Sequence, residues 1–253
     1  MFKKYAFMAS KGGVGKSTAC YNVGYGFNKI GLKTLIIDLD HQNDSSLFLG
    51  IDKSQYSKVF DDLFDKRNPV KLCDCIIQAR EDLYILPNGN LENVESELHR
   101  ISRIDQVLRH VLKDLEHMDF DVVLFDTSPT RNKVNDAVLC YLQDDGGIII
   151  PVQLQAASVR SIGNIYNYLA DLYINPDIIK AVIPNMYNNT LESRDNLQFL
   201  NEFFEGQDVL TDYIPTRTKI AEAGKYGKSI FEYDEEASTY FMKVVEKLVS
   251  SLL

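Results

Sequence analysis

Lys11-Gly12-Gly13-Val14-Gly15-Lys16-Ser17-Thr18 follows the apolar run Tyr5-Ala6-Phe7-Met8-Ala9 and leads into Ala19-Cys20-Tyr21-Asn22-Val23-Gly24-Tyr25-Gly26-Phe27. The first run reads as a buried strand and the last as a helix with an apolar face. Strand, glycine loop and helix, in that order, are the context in which such an octet binds phosphate. Gly12, Gly13 and Gly15 let the backbone turn tightly and bring its N–H groups toward phosphate oxygens. The helix N-terminus adds partial positive charge at the same point. Lys16 is the residue to reach the β- and γ-phosphates, and the Ser17 hydroxyl is the one to ligate Mg²⁺. The template G-x-x-x-x-G-K-[ST] is met loosely, because Ser10 stands where it wants its first glycine. A glycine-rich turn that binds nothing is the bland alternative; context and spacing together favour the phosphate loop, with Lys11 to Thr18 as the nucleotide cradle.

Outward from this loop, short apolar runs alternate with amphipathic stretches. Thr34–Asp38, Leu83–Leu86, Val122–Asp126, Gly147–Val152, Ile178–Ile183 and Val209–Tyr213 read as strands. Ile104–Leu115 and Val159–Leu172 read as helices between them. Continuous apolar runs alternating with helices predict an α/β fold, a mostly parallel twisted sheet with helices on both faces. Ligands in such sheets bind beyond the carboxyl ends of the strands. Two acids end strands at that edge: Asp38 and, after the apolar run Val122–Phe125, Asp126. With a phosphate loop in the same chain, Asp126 is expected near Mg²⁺ rather than merely capping a turn. No repeat, low-complexity tract or linker stands out, so residues 1–253 are expected to form a single P-loop ATPase domain.

Composition bounds the function. Hydrophobic residues make up 45% of the chain, which is ordinary for a full core. No run is apolar enough to cross a membrane, and Met1-Phe2-Lys3-Lys4 moves straight into the first strand, so a cytoplasmic protein without a signal peptide is expected. Cys20, Cys73, Cys75 and Cys140 form no C-x-x-C pair and read as reduced thiols. The net charge of −9 argues against a surface that coats nucleic acid throughout. A local basic segment remains between Ile214 and Ile230, where Arg217, Lys219, Lys225 and Lys228 face only Glu222; from charge alone it reads as a solvated loop.

The two lysines, Lys11 and Lys16, narrow the class. The octet resembles the deviant P-loop of the ParA/MinD family of ATPases. The resemblance implies an ATP-sandwich homodimer in which Lys11 crosses to the partner's nucleotide. It extends along nearly the whole chain, through Ile85-Leu86-Pro87-Asn88, Ile149-Ile150-Pro151-Val152-Gln153, Tyr213-Ile214-Pro215 and Ala221-Glu222-Ala223. The match is closer to ParA, the partition ATPase, than to MinD. No helix-turn-helix segment precedes the first strand, as in the small ParA type.

Residue roles follow from the resemblance. Ile37-Asp38-Leu39-Asp40-His41-Gln42 matches the family's D-x-D-P-Q, with His41 in place of its Pro. By that match Asp40 positions or deprotonates the attacking water, and Asp38 serves the metal neighbourhood and the phosphate-loop lysine. Asp126-Thr127-Ser128-Pro129-Thr130 stands for D-x-P-P-S, the segment that senses the γ-phosphate. Asn185 and Pro215 are expected to border the adenine. Arg194 and Lys219 match positions that hold DNA without sequence preference, and Arg217 is adjacent to where the family has a further arginine. A ParB-like activator, ATP and Mg²⁺ are the implied partner and cofactors, and the nucleoid the implied location.

Two other readings compete with this one. A MinD-like positioning ATPase acting on a membrane or protein scaffold needs a basic amphipathic tail for its membrane version. The last helix, Glu235 to Leu253, instead shows one apolar face (Phe241, Val244, Val245, Leu248, Leu252) with only Lys243 and Lys247 basic, so a packed helix and no membrane contact are expected. An electron-transfer or metal-carrier protein on the same fold, similar to the nitrogenase iron protein, needs cysteines placed to bridge a cluster at the dimer axis, and nothing pairs with Cys140.

Overall fold

A computed structural model describes residues 2–42 and 44–250. Its strands are β1 (Lys3–Phe7), β2 (Thr34–Leu39), β3 (Ile77–Arg80), β4 (Leu83–Leu86), β5 (Val122–Thr127), β6 (Gly146–Gln153), β7 (Ile179–Tyr187) and β8 (Ile214–Pro215). They form one sheet in the order β3-β4-β2-β5-β1-β6-β7-β8. All neighbours run parallel except the β3–β4 hairpin.

The central strands are unbroken apolar runs because both faces are covered. Every residue of β2 and β5 is buried. Alternate side chains enter opposite cores. Ala6, Ile37 and Phe125 pack with the helices Leu91–His99, Ile104–Val111, Lys133–Leu142 and Ile162–Asp171. Phe7, Ile36 and Leu124 pack with the helices Lys16–Lys29 and Glu235–Ser250. Each buried Phe, Ile or Leu contributes about 1.5–3 kcal/mol, which fixes the helix after the glycine loop against the sheet.

That helix carries two interior glycines, residues that cost a free helix about 0.5–1 kcal/mol each. Close packing explains them. A Cβ on Gly24 would lie 2.8 Å from Ile36 Cδ1, and one on Gly26 would lie 2.7 Å from Val245 Cγ2. The last helix buries Phe241, Val244, Val245 and Leu248 as its spacing predicts; Leu252 lies outside the described residues.

One expectation needs correction. Val209–Tyr213 is not a strand. It makes one bridge, in which Val182 N–H donates to the Val209 carbonyl and Thr211 N–H to the Val182 carbonyl. The chain then swings outward, with the Thr211 hydroxyl on the Asp212 carbonyl and Lys243 on the Asp212 carboxylate, and the ladder resumes only at β8. The hairpin strand β3 has no counterpart among the strands read from the sequence. It is an edge strand with no fully buried residue, so it lacks the apolar run that reveals the others.

Candidate functional site

Strand order assembles the site. β1 lies between β5 and β6, and β5 lies between β1 and β2. Asp126 therefore stands in register with Phe7 on one side and with Asp38 on the other. The glycine loop leaves β1 just after Phe7, so loop and acids meet at one sheet edge.

The loop is open where a ligand would enter. Hypothetical Cβ atoms on Gly12 and Gly13 meet nothing within 4 Å. Gly13 and Gly15 hold φ values of +76° and +86°, which other residues rarely adopt. Gly15 also has no room: a Cβ there would lie 2.4 Å from Asn185 Nδ2. That amide donates to the Val14 carbonyl at 2.8 Å, so the end of β7 braces the loop from behind. In front lies a cavity of about 630 Å³. Lys11, Gly12, Gly13, Gly15, Lys16, Ser17 and Thr18 line it from the loop, Asp40, His41 and Gln42 from the turn after β2, and Ser128 to Asn132 from the segment after β5.

The cavity floor is an ion cluster. The Lys16 ammonium donates to Asp126 Oδ1 at 2.6 Å and to Asp40 Oδ2 at 3.1 Å. The Ser45 hydroxyl donates to the other Asp126 oxygen at 2.8 Å. Asn88 ties the turn together by donating to the main-chain carbonyls of Asp38 and Asp40. Burial alone would lower the Lys16 pKa, but the attraction of Asp126 and Asp40 outweighs it and holds the ammonium above the usual lysine value. Asp38 is fully buried; its Oδ1 accepts from the Asp40 N–H at 3.1 Å and its Oδ2 has no partner. Burial first, and the neighbouring Asp126 charge second, push its carboxyl well above the ordinary range. The ammonium thus bonds Asp40 and Asp126, not Asp38 as the sequence reading had it.

This orphaned acid gives a stability prediction. A carboxyl whose pKa is raised in the folded state contributes stability below its unfolded value, near 3.9, and loses it as pH rises toward the folded value. Asp38→Asn removes that loss. The ligand-free variant is expected to be about 1–3 kcal/mol more stable than the parent at pH 7–8, with the gap closing on acidification. Urea unfolding across pH checks this; a variant less stable at pH 8 would contradict it.

The remaining predicted residues are distributed as follows. Lys11 folds back on its own chain, with Nζ donating to Ser158 Oγ at 3.0 Å, while the Ser10 hydroxyl donates to the Ser161 carbonyl. Asn185 is buried against the loop, and Pro215 of β8 pairs with Tyr187 of β7; neither Asn185 nor Pro215 lines the cavity, whereas Met186 does. Arg194 is exposed on the helix Leu191–Phe203. Arg217 pairs with Glu236 at 3.1 Å, and Lys219 pairs with Asp234. The basic segment is therefore partly neutralised by the start of the last helix. The four cysteines are free, and burial pushes the Cys20 thiol well up, leaving it inert. Ser45, Ser158 and Arg131 were not foreseen; only the Asp44-Ser45-Ser46 run after the acids offered a signal.

Comparison with known proteins places this geometry in a family. A family model described as an AAA domain matches residues 2–180. Sporulation initiation inhibitor protein Soj of Bacillus subtilis is 27% identical over 247 residues, covering 92% of this chain and 92% of that protein. Chromosome partitioning protein ParA of Caulobacter vibrioides is 26% identical over 255 residues, covering 97% and 93%. The solved structure of a McdA variant from Cyanothece in complex with ATP has the same fold, with a TM-score of 0.82 and 19% identity over 98% of this chain and 96% of that one. Sheet, phosphate loop and matches along the chain agree: this protein belongs to the AAA domain family, as a ParA-type ATPase of the ParA/MinD group.

Proposed function

We propose that the whole chain acts as one partition ATPase domain, switched by ATP between a free monomer and a DNA-bound homodimer. The observation that carries this reading is the Lys16 ammonium held by Asp40 and Asp126 on the floor of the phosphate-loop cavity. There the cation is neutralised by side chains that nucleotide phosphates can replace.

The residues fit ATP with Mg²⁺. Gly12 and Gly13 leave open space, Lys11 and Lys16 supply charge, and Ser17 and Thr18 supply hydroxyls. Asp126 and the unpartnered oxygen of Asp38 are hard acceptors suited to the neighbourhood of a divalent ion. When bound, Mg²⁺ neutralises charge on the β- and γ-phosphates. Asp40 loses the ammonium to the phosphates and becomes the acceptor for a proton of the attacking water. The water oxygen bonds to the γ-phosphorus, and the bond to the bridging oxygen breaks with its electron pair on ADP. Asp40 then passes the proton to the released phosphate. Lys11 leaves Ser158 and reaches the partner's phosphates in the dimer. Asn185 serves by bracing the loop through Val14, with Pro215 farther along the same sheet edge.

Arg194, Arg217 and Lys219 supply the DNA-contacting charge. Exposed ion pairs such as Arg217–Glu236 are weak and screened by salt, so DNA phosphates can displace the acids. A ParB-like activator completes the site and triggers release, at the nucleoid in the cytoplasm. No membrane contact is proposed: the last helix turns its apolar face inward, and among the described residues no helix is long and apolar enough to cross a membrane.

The test is binding of random-sequence duplex DNA with a non-hydrolysable ATP analogue and then with ADP, across a salt series. Binding only with the analogue is expected, with log affinity falling by about 0.9 per phosphate contact for each log unit of salt. The pairing of Arg217 and Lys219 with acids favours a second reading, a cargo-positioning ATPase on a protein scaffold. No DNA binding, with nucleotide-dependent dimerisation intact, would select that reading and sink the partition one.

A further inference from the structure

The segment after β5 carries a cation that the reading above leaves unused. Arg131 lines the same cavity as Lys11 and Lys16. Its guanidinium is turned away from them, onto the helix Ile162–Asp171. Nη1 lies 2.5 Å from the Asp171 carboxylate, and the guanidinium carbon sits 4.4 Å from the centre of the Tyr168 ring. Tyr168 is itself fixed, with its hydroxyl donating to Asp136 at 2.8 Å. Arg131 also walls a second cavity of about 240 Å³ beside that helix, so it stands between two spaces. The Arg131 and Asp171 side chains are 49% and 59% exposed, and ion pairs of that kind exchange readily.

We propose that Arg131 is a further phosphate-contacting residue for ATP hydrolysis, with Asp171 competing for its guanidinium. This rests on the ATPase reading above. As the γ-phosphoryl group passes from the bridging oxygen to water, charge develops on its oxygens and on the leaving ADP. A planar, permanently charged guanidinium on the cavity wall can take two of those oxygens at once. The Asp171 carboxylate competes for the same donors, so it restrains the basal rate. The segment Ser128 to Asn132, which bears Arg131, lines the cavity beside the phosphate loop, so nucleotide entry brings the two competitors within reach of one side chain.

Turnover and binding of a fluorescent ATP analogue by the full chain, as parent, Arg131→Ala, Arg131→Lys and Asp171→Asn, test this. Arg131→Ala is expected to lower kcat about tenfold or more while leaving analogue affinity within about twofold. Arg131→Lys should not restore kcat, because it lacks the paired donors. Asp171→Asn should raise kcat severalfold. A purely structural ion pair would move Arg131→Ala and Asp171→Asn in the same direction; the proposal requires opposite directions. Same-direction changes, or an Arg131→Ala variant with the parent's kcat, would overturn it while the ATPase reading stands. A parent chain that neither binds nor hydrolyses ATP would overturn both.

Discussion

Lys16→Ala is expected to lose at least about 100-fold in ATP affinity and all measurable turnover. Charge-assisted hydrogen bonds are worth about 1.5–3 kcal/mol each, and this ammonium is the cation set deepest among the residues lining the phosphate-loop cavity. The same substitution should damage the protein before any ligand arrives. Lys16 is 6% exposed and Asp126 is fully buried, so truncation leaves Asp126, Asp40 and Asp38 facing one another without a cation. Breaking a buried pair from one side costs about 3–5 kcal/mol. Without the ammonium, whose charge draws the raised Asp38 carboxyl down, that carboxyl is pushed up further. Its contribution is then favourable below the unfolded value near 3.9 and is lost as pH rises through the folded value. The deficit is expected to be largest at pH 8 and to shrink toward pH 5. Calorimetric titration with ATP and urea unfolding at both pH values measure the two effects separately. A variant as stable as the parent at pH 8 would show that the ion cluster does not hold the ligand-free fold.

Much of the fold was legible because the central strands are buried on both faces. Val122–Phe125 and Leu35–Ile37 have no polar side to confuse the reading, and their ends fall where Asp126 and Asp38 stand. The phosphate loop was legible because its chemistry is local: glycines, lysine and serine act within one turn of chain. What escaped depends on partners far away in sequence. Asn185 braces Val14, Ser45 bonds Asp126, and Arg131 pairs with Asp171, and none of these residues carries a periodic signal. The charge of Arg217 and Lys219 was visible, but not its neutralisation by Glu236 and Asp234, which a later helix brings to them. Val209–Tyr213 misled because its apolar residues support a single bridge rather than a ladder.

Asp40→Ala is expected to lower the rate of ATP hydrolysis by about 10²–10⁴-fold while leaving ATP affinity equal to or above the parent's. The two carboxylates on Lys16 differ in what they can do. Asp126 is fully buried and has both oxygens occupied, one by the Lys16 ammonium and one by the Ser45 hydroxyl. Asp40 lines the cavity, and its second oxygen accepts only a long 3.3 Å bond from the Gln42 N–H. Once phosphates take the ammonium, Asp40 keeps free acceptor capacity on the cavity wall, whereas Asp38, with its unpartnered oxygen, does not line the cavity. Removing it also subtracts a negative charge from a cluster with an excess of them, and Lys16 keeps its shorter bond to Asp126. The ligand-free variant should therefore be within about 1 kcal/mol of the parent in stability, unlike Lys16→Ala. Single-turnover hydrolysis, ATP titration and urea unfolding on the same preparation check the three parts. A variant that binds and hydrolyses ATP at the parent's rate would move proton acceptance to another group. A variant that loses ATP affinity as well would mean that Asp40 shapes the cradle instead of serving the water. Loss of hydrolysis with affinity and stability intact is the combination that a water-activating acid, and not a structural one, produces.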